Sequence, residues 1–314
     1  MARSDPRAGT GDGGLILLGW PAALVALSLV SGSVPANAPE PRRVEIARGD
    51  GTTIDITVWD RGSGTHKALI VIGGSDCLKN EHRTWMPRVI AEAPTRWVVS
   101  VDKEGARDDS ESCSAEYERT SIEPQRALDH IRAMTWLKHE LNLPGMKAFQ
   151  VMASSAGGAA ACAIAGATDD VDAVALMSTT GGQSFQADMR QLTRNADRIG
   201  AEMDRVLSDP RMGQTWLGST NPEIWWWSAL PLECPAQMEG WQGPVLILHG
   251  SADESSPVTS ARMLAETLKL RPGVYVAYRE LLGAGHDLFI ASSEKPEGGD
   301  GLDIALNWLR RPVQ

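Results

Sequence analysis

Three residues carry the side chains that acyl transfer needs: in chain order, Ser155, Asp253 and His286. Attack by a serine hydroxyl requires a base to take its proton and an acid to orient that base. It also requires N–H donors for the charge that develops on the carbonyl oxygen. Ser155 lies in Ala153-Ser154-Ser155-Ala156-Gly157-Gly158. The apolar run before it, Ala148 to Met152, reads as a buried strand, and Gly157 to Ala165 reads as a helix of small residues. A strand that turns at once into a helix holds one side chain at the tip of a strained bend. Small residues at Ala153 and Gly157 let the two elements approach there, and the helix N-terminus behind the bend favours negative charge. Ser154 is the neighbouring candidate. Its flanking small positions would be Met152 and Ala156, and Met152 is not small. Alone, the motif also fits an ordinary strand-to-helix turn, so the partners decide.

Those partners must stand just past the C-terminal ends of parallel strands. Asp253 follows the buried strand pattern Pro244 to Leu248, with Pro257 opening a helix after it. A helix N-cap or a solvated turn is its plain alternative role. The strand pattern ending at Met177 is followed by Ser178-Thr179-Thr180, which offers no carboxylate. His286 follows the last strand pattern, Val274 to Tyr278, in Gly283-Ala284-Gly285-His286. Among the six histidines it alone lies past a late strand and after both other candidates. His249 sits at a strand end, where packing is the expected role, and His66, His82, His130 and His139 fall in loops or on helices. The oxyanion donors expected are the backbone N–H groups of Ala156 and of Ser75, with Asp76 next. Ser75 lies in the loop Gly73-Gly74-Ser75-Asp76 after the apolar run Ala68 to Ile72.

The elements that must position these groups alternate along the chain. A hairpin is predicted from Arg43 to Gly64, followed by buried strands at 68–72, 97–101, 148–152, 173–177, 244–248 and 274–278. Helices are predicted at about 81–93, 122–141, 257–270 and 301–309. In the second of these, Leu128, Ile131, Met134, Leu137 and Leu141 recur at helical steps. Residues 102–118 read as a polar loop, 184–208 as an amphipathic helical insertion and 221–230 as a short helix. Buried strands alternating with helices specify an α/β fold whose mostly parallel sheet is covered on both faces.

Composition narrows the class further. The 314 residues are 42% hydrophobic, and the net charge of -10 comes without a long basic run. Nucleic acid and anionic membranes are therefore not expected partners. Cofactor and metal signatures are lacking: no His-Glu-x-x-His, no Gly-x-Gly-x-x-Gly opening a helix, no phosphate loop and no Cys-x-x-Cys. Residues 1–38 have the layout of a secretory signal peptide. Arg3 and Arg7 precede the apolar stretch Gly14 to Val30, and Ala36-Asn37-Ala38 fits a cleavage site. The mature chain is then expected to be secreted or periplasmic, without a stable membrane span, where disulfides persist. Topology favours Cys77 pairing with Cys113, because each lies in a loop past a strand end. Cys162, among alanines, reads as a buried thiol, and Cys234 as free.

With these residues in view, the chain from about Arg43 to Arg311 resembles an α/β-hydrolase-fold serine hydrolase. The resemblance rests on Gly73-Gly74, on Ala153 to Gly158, on Gly250-Ser251-Ala252-Asp253 and on Gly285-His286. The order Ser, Asp, His is that of the family. Two departures are Ala153 and Gly73-Gly74, where many members have Gly and His-Gly. The resemblance implies one hydrolase domain, 39–314, with a small cap at about 181–241. It implies a catalytic set of Ser155, Asp253 and His286 with donors at Ser75 and Ala156. It also implies no cofactor, and a small-molecule or peptide acyl substrate. An esterase-like acyl hydrolase is the first expectation. A serine peptidase of prolyl-oligopeptidase type and a non-catalytic binding protein on the same fold are the alternatives.

Overall fold

Why the apolar runs are unbroken is plain once the sheet is seen from both sides. The computed structural model describes residues 39–109, 113–192, 196–216, 219–288 and 300–311. The predicted leader, 1–38, lies outside them. Along the chain run β1 (Arg42–Ala47), β2 (Thr53–Asp60), β3 (Thr65–Ile72), α1 (Met86–Glu92) and β4 (Thr95–Val101). Then come α2 (Ala115–Thr120), α3 (Glu123–Glu140), β5 (Phe149–Ser154), α4 (Gly157–Ala167) and β6 (Val171–Met177). An insertion of α5 (Phe185–Leu192), α6 (Ala196–Ser208), α7 (Glu223–Ala229) and α8 (Cys234–Gln237) precedes β7 (Pro244–Gly250). The chain ends on α9 (Val258–Lys269), β8 (Tyr275–Leu281) and α10 (Gly301–Leu309).

Among the described residues the strands form one eight-stranded sheet in the order β1-β2-β4-β3-β5-β6-β7-β8. β1 and β2 pair antiparallel, as does β2 with β4, and every later pairing is parallel. Side chains alternate across each strand. Ile70, Ile72, Val99 and Val151 therefore pack under Ala161, Ile164 and Leu264 on one face. Leu69, Val71, Val98 and Met152 pack under Val89, Ile304 and Leu306 on the other. Both faces are dry, which is why these strands lack a polar alternation.

Several predicted boundaries move, each for a local reason. The helix expected at 81–93 is a single tight turn, Asn80–His82, followed by α1. Pro87 cannot sit inside a helix, and it occupies the first turn of α1 instead. The expected loop 102–118 ends in α2, capped by the Ser114 side chain, which accepts from the Tyr117 N–H at 3.0 Å. On α3 the buried stripe runs through Ala127, Ala133, Met134 and Leu137, and Leu128 of the predicted stripe is 49% exposed. The insertion expected to be helical at 184–208 carries α5 and α6, with 193–195 outside the described residues.

The cysteines give one agreement and one correction. Cys77 is bonded to Cys113, with a Cα separation of 5.5 Å. Cys162 and Cys234, expected as a buried thiol and a free thiol, are bonded to each other with a Cα separation of 5.4 Å. The reason lies on α4. A Cβ at Gly166, one turn beyond Cys162, would stand 1.9 Å from the Gln237 carbonyl oxygen. Glycine there lets α8 lie against α4, bringing Cys234 to Cys162. The four-residue α8 has no periodicity to betray it in the sequence.

Candidate active site

At the end of β5 the chain enters a conformation that a serine adopts only under constraint. Ser155 has φ +53°, in the left-handed region. Its N–H donates to the Met177 carbonyl at 2.9 Å, and its own carbonyl accepts from Gly158 at 3.0 Å. The two glycines that follow are dictated by space. A Cβ at Gly157 would lie 2.4 Å from the Gly73 carbonyl oxygen, and one at Gly158 only 1.9 Å from Thr179. The bend thus fits between the ends of β3 and β6, with Ser155 half-buried at its tip.

Asp253 and His286 arrive from the next two strands. The Asp253 side chain has no solvent exposure, whereas that of His286 is 34% exposed. Asp253 Oδ1 accepts from the Ser255 and Ser256 N–H groups at 2.8 and 2.9 Å. Its Oδ2 lies 2.9 Å from His286 Nδ1, and His286 Nε2 lies 3.0 Å from Ser155 Oγ. The geometry assigns the proton to Nδ1, donating to the carboxylate, which leaves Nε2 as an acceptor for the hydroxyl. The three side chains that the sequence singled out therefore form one continuous hydrogen-bonded line.

Small residues and backbone bonds bring the two loops together. A Cβ at Gly250 would be 2.3 Å from the Ala284 carbonyl oxygen and 2.4 Å from that of Gly285. The Ala252 N–H donates to the Ala284 carbonyl at 2.9 Å, and Gly283 N–H donates to Ser251 Oγ at 2.8 Å. Ser178, itself at φ +51°, donates its hydroxyl to the His286 carbonyl at 2.6 Å. The imidazole is thus held by the backbone on either side of it.

The loop after β3 closes the other side. A Cβ at Gly74 would stand 3.4 Å from Ser155 Cβ, so the loop runs alongside the serine. Among the described residues neither the Ser75 nor the Ala156 N–H donates a hydrogen bond. Ala156 opens α4, so its amide sits at a positive helix end. The Ser75 carbonyl accepts from the Tyr117 hydroxyl at 2.5 Å, and Asp76 is paired to Arg83 through two hydrogen bonds of 2.6 and 3.1 Å. Burial pushes the Asp76 carboxyl up, but Arg83 outweighs it and keeps the pKa below the usual value.

Four further residues border this arrangement, and three of them escaped the sequence reading. His249, expected to pack, is fully buried and places Nε2 3.1 Å from the Ser256 carbonyl and 3.4 Å from Asp253 Oδ2. Burial lowers its pKa, which favours the neutral ring beside the carboxylate. Lys103, Arg126 and Tyr117 contact the carbonyls of the Gly73–Asp76 loop. The signal for His249 was its place at the end of β7, four residues before Asp253. For the other three the sequence holds none, because each comes from a different element.

The Trp-rich insertion borders the same site. Trp216, Trp225 and Trp226 form a small core with Met189, Met203 and Val206, and Ala156 and Phe185 pack against it. Two of the three residues in the run Trp225-Trp226-Trp227 are core, while Trp227 is 40% exposed. Among the described residues no cluster of potential ligands could hold a metal ion, and no helix is long and apolar enough to cross a membrane.

No family profile and no curated protein sequence matches this chain. Solved structures do. A puromycin-hydrolysing peptidase of Mycobacterium tuberculosis superposes with a TM-score of 0.55 at 16% identity, over 80% of this chain. This chain spans only 37% of the length of that peptidase. A 2,6-dihydroxy-pseudo-oxynicotine hydrolase gives 0.57 at 20% identity, over 87% of this chain and 68% of the other. An esterase of Pyrococcus furiosus gives 0.52 at 18% identity, over 77% and 82% respectively. The chain has the α/β-hydrolase fold.

Proposed function

We propose that the protein is an exported serine hydrolase that cleaves an ester or related acyl bond through an acyl-enzyme. One observation carries the reading. Asp253, His286 and Ser155 are joined by hydrogen bonds of 2.9 and 3.0 Å, with the serine at a strained strand-to-helix bend. Such a line has a direct chemical use. As Ser155 Oγ attacks the carbonyl carbon, its proton passes to His286 Nε2, and the imidazolium formed is stabilised by Asp253. The carbonyl oxygen, now negative, takes hydrogen bonds from the Ala156 and Ser75 N–H groups. Collapse of the tetrahedral intermediate expels the leaving group, which takes the proton from His286 Nε2. Water activated by the same imidazole then releases the acid and restores Ser155.

Export is supported by the leader pattern of residues 1–38 and by the two disulfides, which persist in oxidising compartments. The insertion from α5 to α8 serves in this reading as a small aromatic cap that borders the nucleophile through Ala156. A panel of p-nitrophenyl esters, thioesters and aminoacyl p-nitroanilides tests the assignment. Turnover of esters that disappears in Ser155→Ala is the expected result. Preference for the aminoacyl amides would move the protein to the peptidase reading. Absence of any Ser155-dependent turnover or trapping would contradict the hydrolase reading itself.

A further inference from the structure

The loop after β3 is held from behind by cations. The Lys103 ammonium donates to the Gly74 carbonyl at 2.8 Å and also bonds the Asp76 carbonyl. Arg126 donates from Nη2 to the Gly73 carbonyl at 2.7 Å and from Nη1, at 3.4 Å, to that of Gly74. With Tyr117 on the Ser75 carbonyl at 2.5 Å, four consecutive carbonyl oxygens are fixed by side chains. Three separate places in the chain supply those side chains: the end of β4, α2 and the first turns of α3.

The direction of these bonds matters more than their number. A trans peptide is planar, so the carbonyl of one residue and the N–H of the next point opposite ways. In the sheet β3 lies between β4 and β5. Lys103 stands just past β4 and draws the Gly74 carbonyl toward that side. The Ser75 N–H is thereby turned toward the β5 side, where Ser155 lies beside Gly74. A hydrogen bond to the carbonyl also polarises the same peptide and strengthens its N–H as a donor. Among the described residues no carboxylate is within ion-pair distance of the Lys103 ammonium, so its role is not that of a salt-bridge partner. Arg126 and Arg83 repel it, while Asp76 and Glu123 attract it from farther away, and burial above all drives its pKa well below the usual lysine value. A half-buried lysine whose hydrogen bonds, among the described residues, go to carbonyls is costly to keep.

We infer that Lys103 and Arg126, with Tyr117, are positioning residues that aim and polarise the Ser75 N–H for the oxyanion formed at Ser155. This rests on the acyl-transfer reading and adds the residues that build its second oxyanion donor. None of the three touches the substrate in this scheme, so their loss must show in the transition state rather than in ground-state binding.

The experiment uses the full mature chain and Lys103→Met, with Tyr117→Phe as a second variant that deletes only a hydroxyl. Thermal unfolding first identifies which variants are folded. Each is then assayed on a p-nitrophenyl ester and with a trifluoromethyl ketone, whose hemiketal adduct carries an oxyanion, against the non-covalent product acid. Expected for Lys103→Met is a fall in kcat of about tenfold to a hundredfold, at or below the roughly 10²–10³ that outright removal of one oxyanion donor costs. KM and product-acid affinity should stay within about twofold, and ketone affinity should fall in parallel with kcat. Tyr117→Phe should show the same split at about threefold to tenfold. Should Lys103→Met not fold, the hydroxyl deletion decides alone. Unchanged kcat, or a rise in KM at constant kcat, in the folded variants overturns the inference while an active wild type leaves the acyl-transfer reading standing. A wild type that neither turns over nor binds the ketone overturns that reading and the inference with it.

Discussion

Two sides of the site are built by different means. On the β7–β8 side, Asp253 and His286 are placed by backbone hydrogen bonds and by the missing side chain of Gly250. On the β3–β4 side, the Gly73–Asp76 loop is placed by long charged and aromatic side chains and by the Cys77–Cys113 bond. The first kind of construction is local: a loop of fixed length, a glycine and a strand end suffice. The second draws on residues scattered from Lys103 to Arg126. It follows that the first side tolerates little change in backbone volume, and the second little change in charge or covalent bracing.

The strongest way to break the comparison is at its shared point. Ser155→Ala or His286→Ala should lower kcat by about 10⁴-fold or more, and Asp253→Asn by a comparable or smaller factor. Ser154→Ala should matter far less. Steady-state kinetics on the best ester of the panel measure all four. If Ser154→Ala were the inactivating change, the bend would be misplaced by one residue.

The disulfides separate the two sides more finely. Replacing Cys77 and Cys113 together by Ala should cut kcat about fivefold to tenfold, because the bond braces the loop that carries the proposed oxyanion donor at Ser75. Replacing Cys162 and Cys234 should leave kcat near wild type while lowering stability by about 2–4 kcal/mol, since that bond ties α4 to α8 and spans a longer stretch of chain. Denaturant melts read beside kcat distinguish the outcomes, and the reverse pattern would erase the distinction drawn here.

Gly250→Ala probes the local side without replacing any residue of the Asp253–His286–Ser155 line. Its Cβ would meet the Ala284 and Gly285 carbonyls at 2.3 and 2.4 Å. Backbone must move to admit it, at a cost of about 1–3 kcal/mol in stability, with His286 displaced from Ser155. A variant with wild-type melting and wild-type kcat would show that the two loops are not so closely fitted.

The smallest effect concerns the insertion. Glu223, without solvent exposure, is paired to both Arg205 and Arg211. Burial opposes its charge, but the two arginines prevail and hold its pKa at about 2, below the ordinary 4.5. A depressed carboxylate stabilises the fold fully above its unfolded value and loses that contribution as pH falls from about 4.5 toward 2. Glu223→Gln should therefore be less stable than wild type at neutral pH, with the gap closing across that window. An equal gap at pH 7 and pH 2.5 would remove the ion pairs from the account.

What could be read from the chain follows the same division. The bend at Ser155 was legible because its demands are steric and sequential: a small residue at Ala153, then Gly157 and Gly158 against Gly73 and Thr179. The order Ser155, Asp253, His286 was legible because parallel strands put their following loops on one edge. Hidden were contacts whose partners lie far apart in sequence. Nothing near Cys162 announces Cys234, and nothing near Gly74 announces Lys103. Pro87 is a local signal: it fits only the first turn of a helix, so the helical segment predicted at 81–93 starts later, at Met86.

The central claim is that Ser155 is the nucleophile of the Asp253–His286–Ser155 line, and covalent trapping tests it most directly. The purified protein is treated with a fluorophosphonate, digested and mapped by mass spectrometry. The account predicts one phosphonyl adduct, on Ser155, formed quickly in the wild type and slowed by orders of magnitude in His286→Ala. An adduct on Ser154, or labelling of Ser155 that is indifferent to the loss of His286, would contradict it.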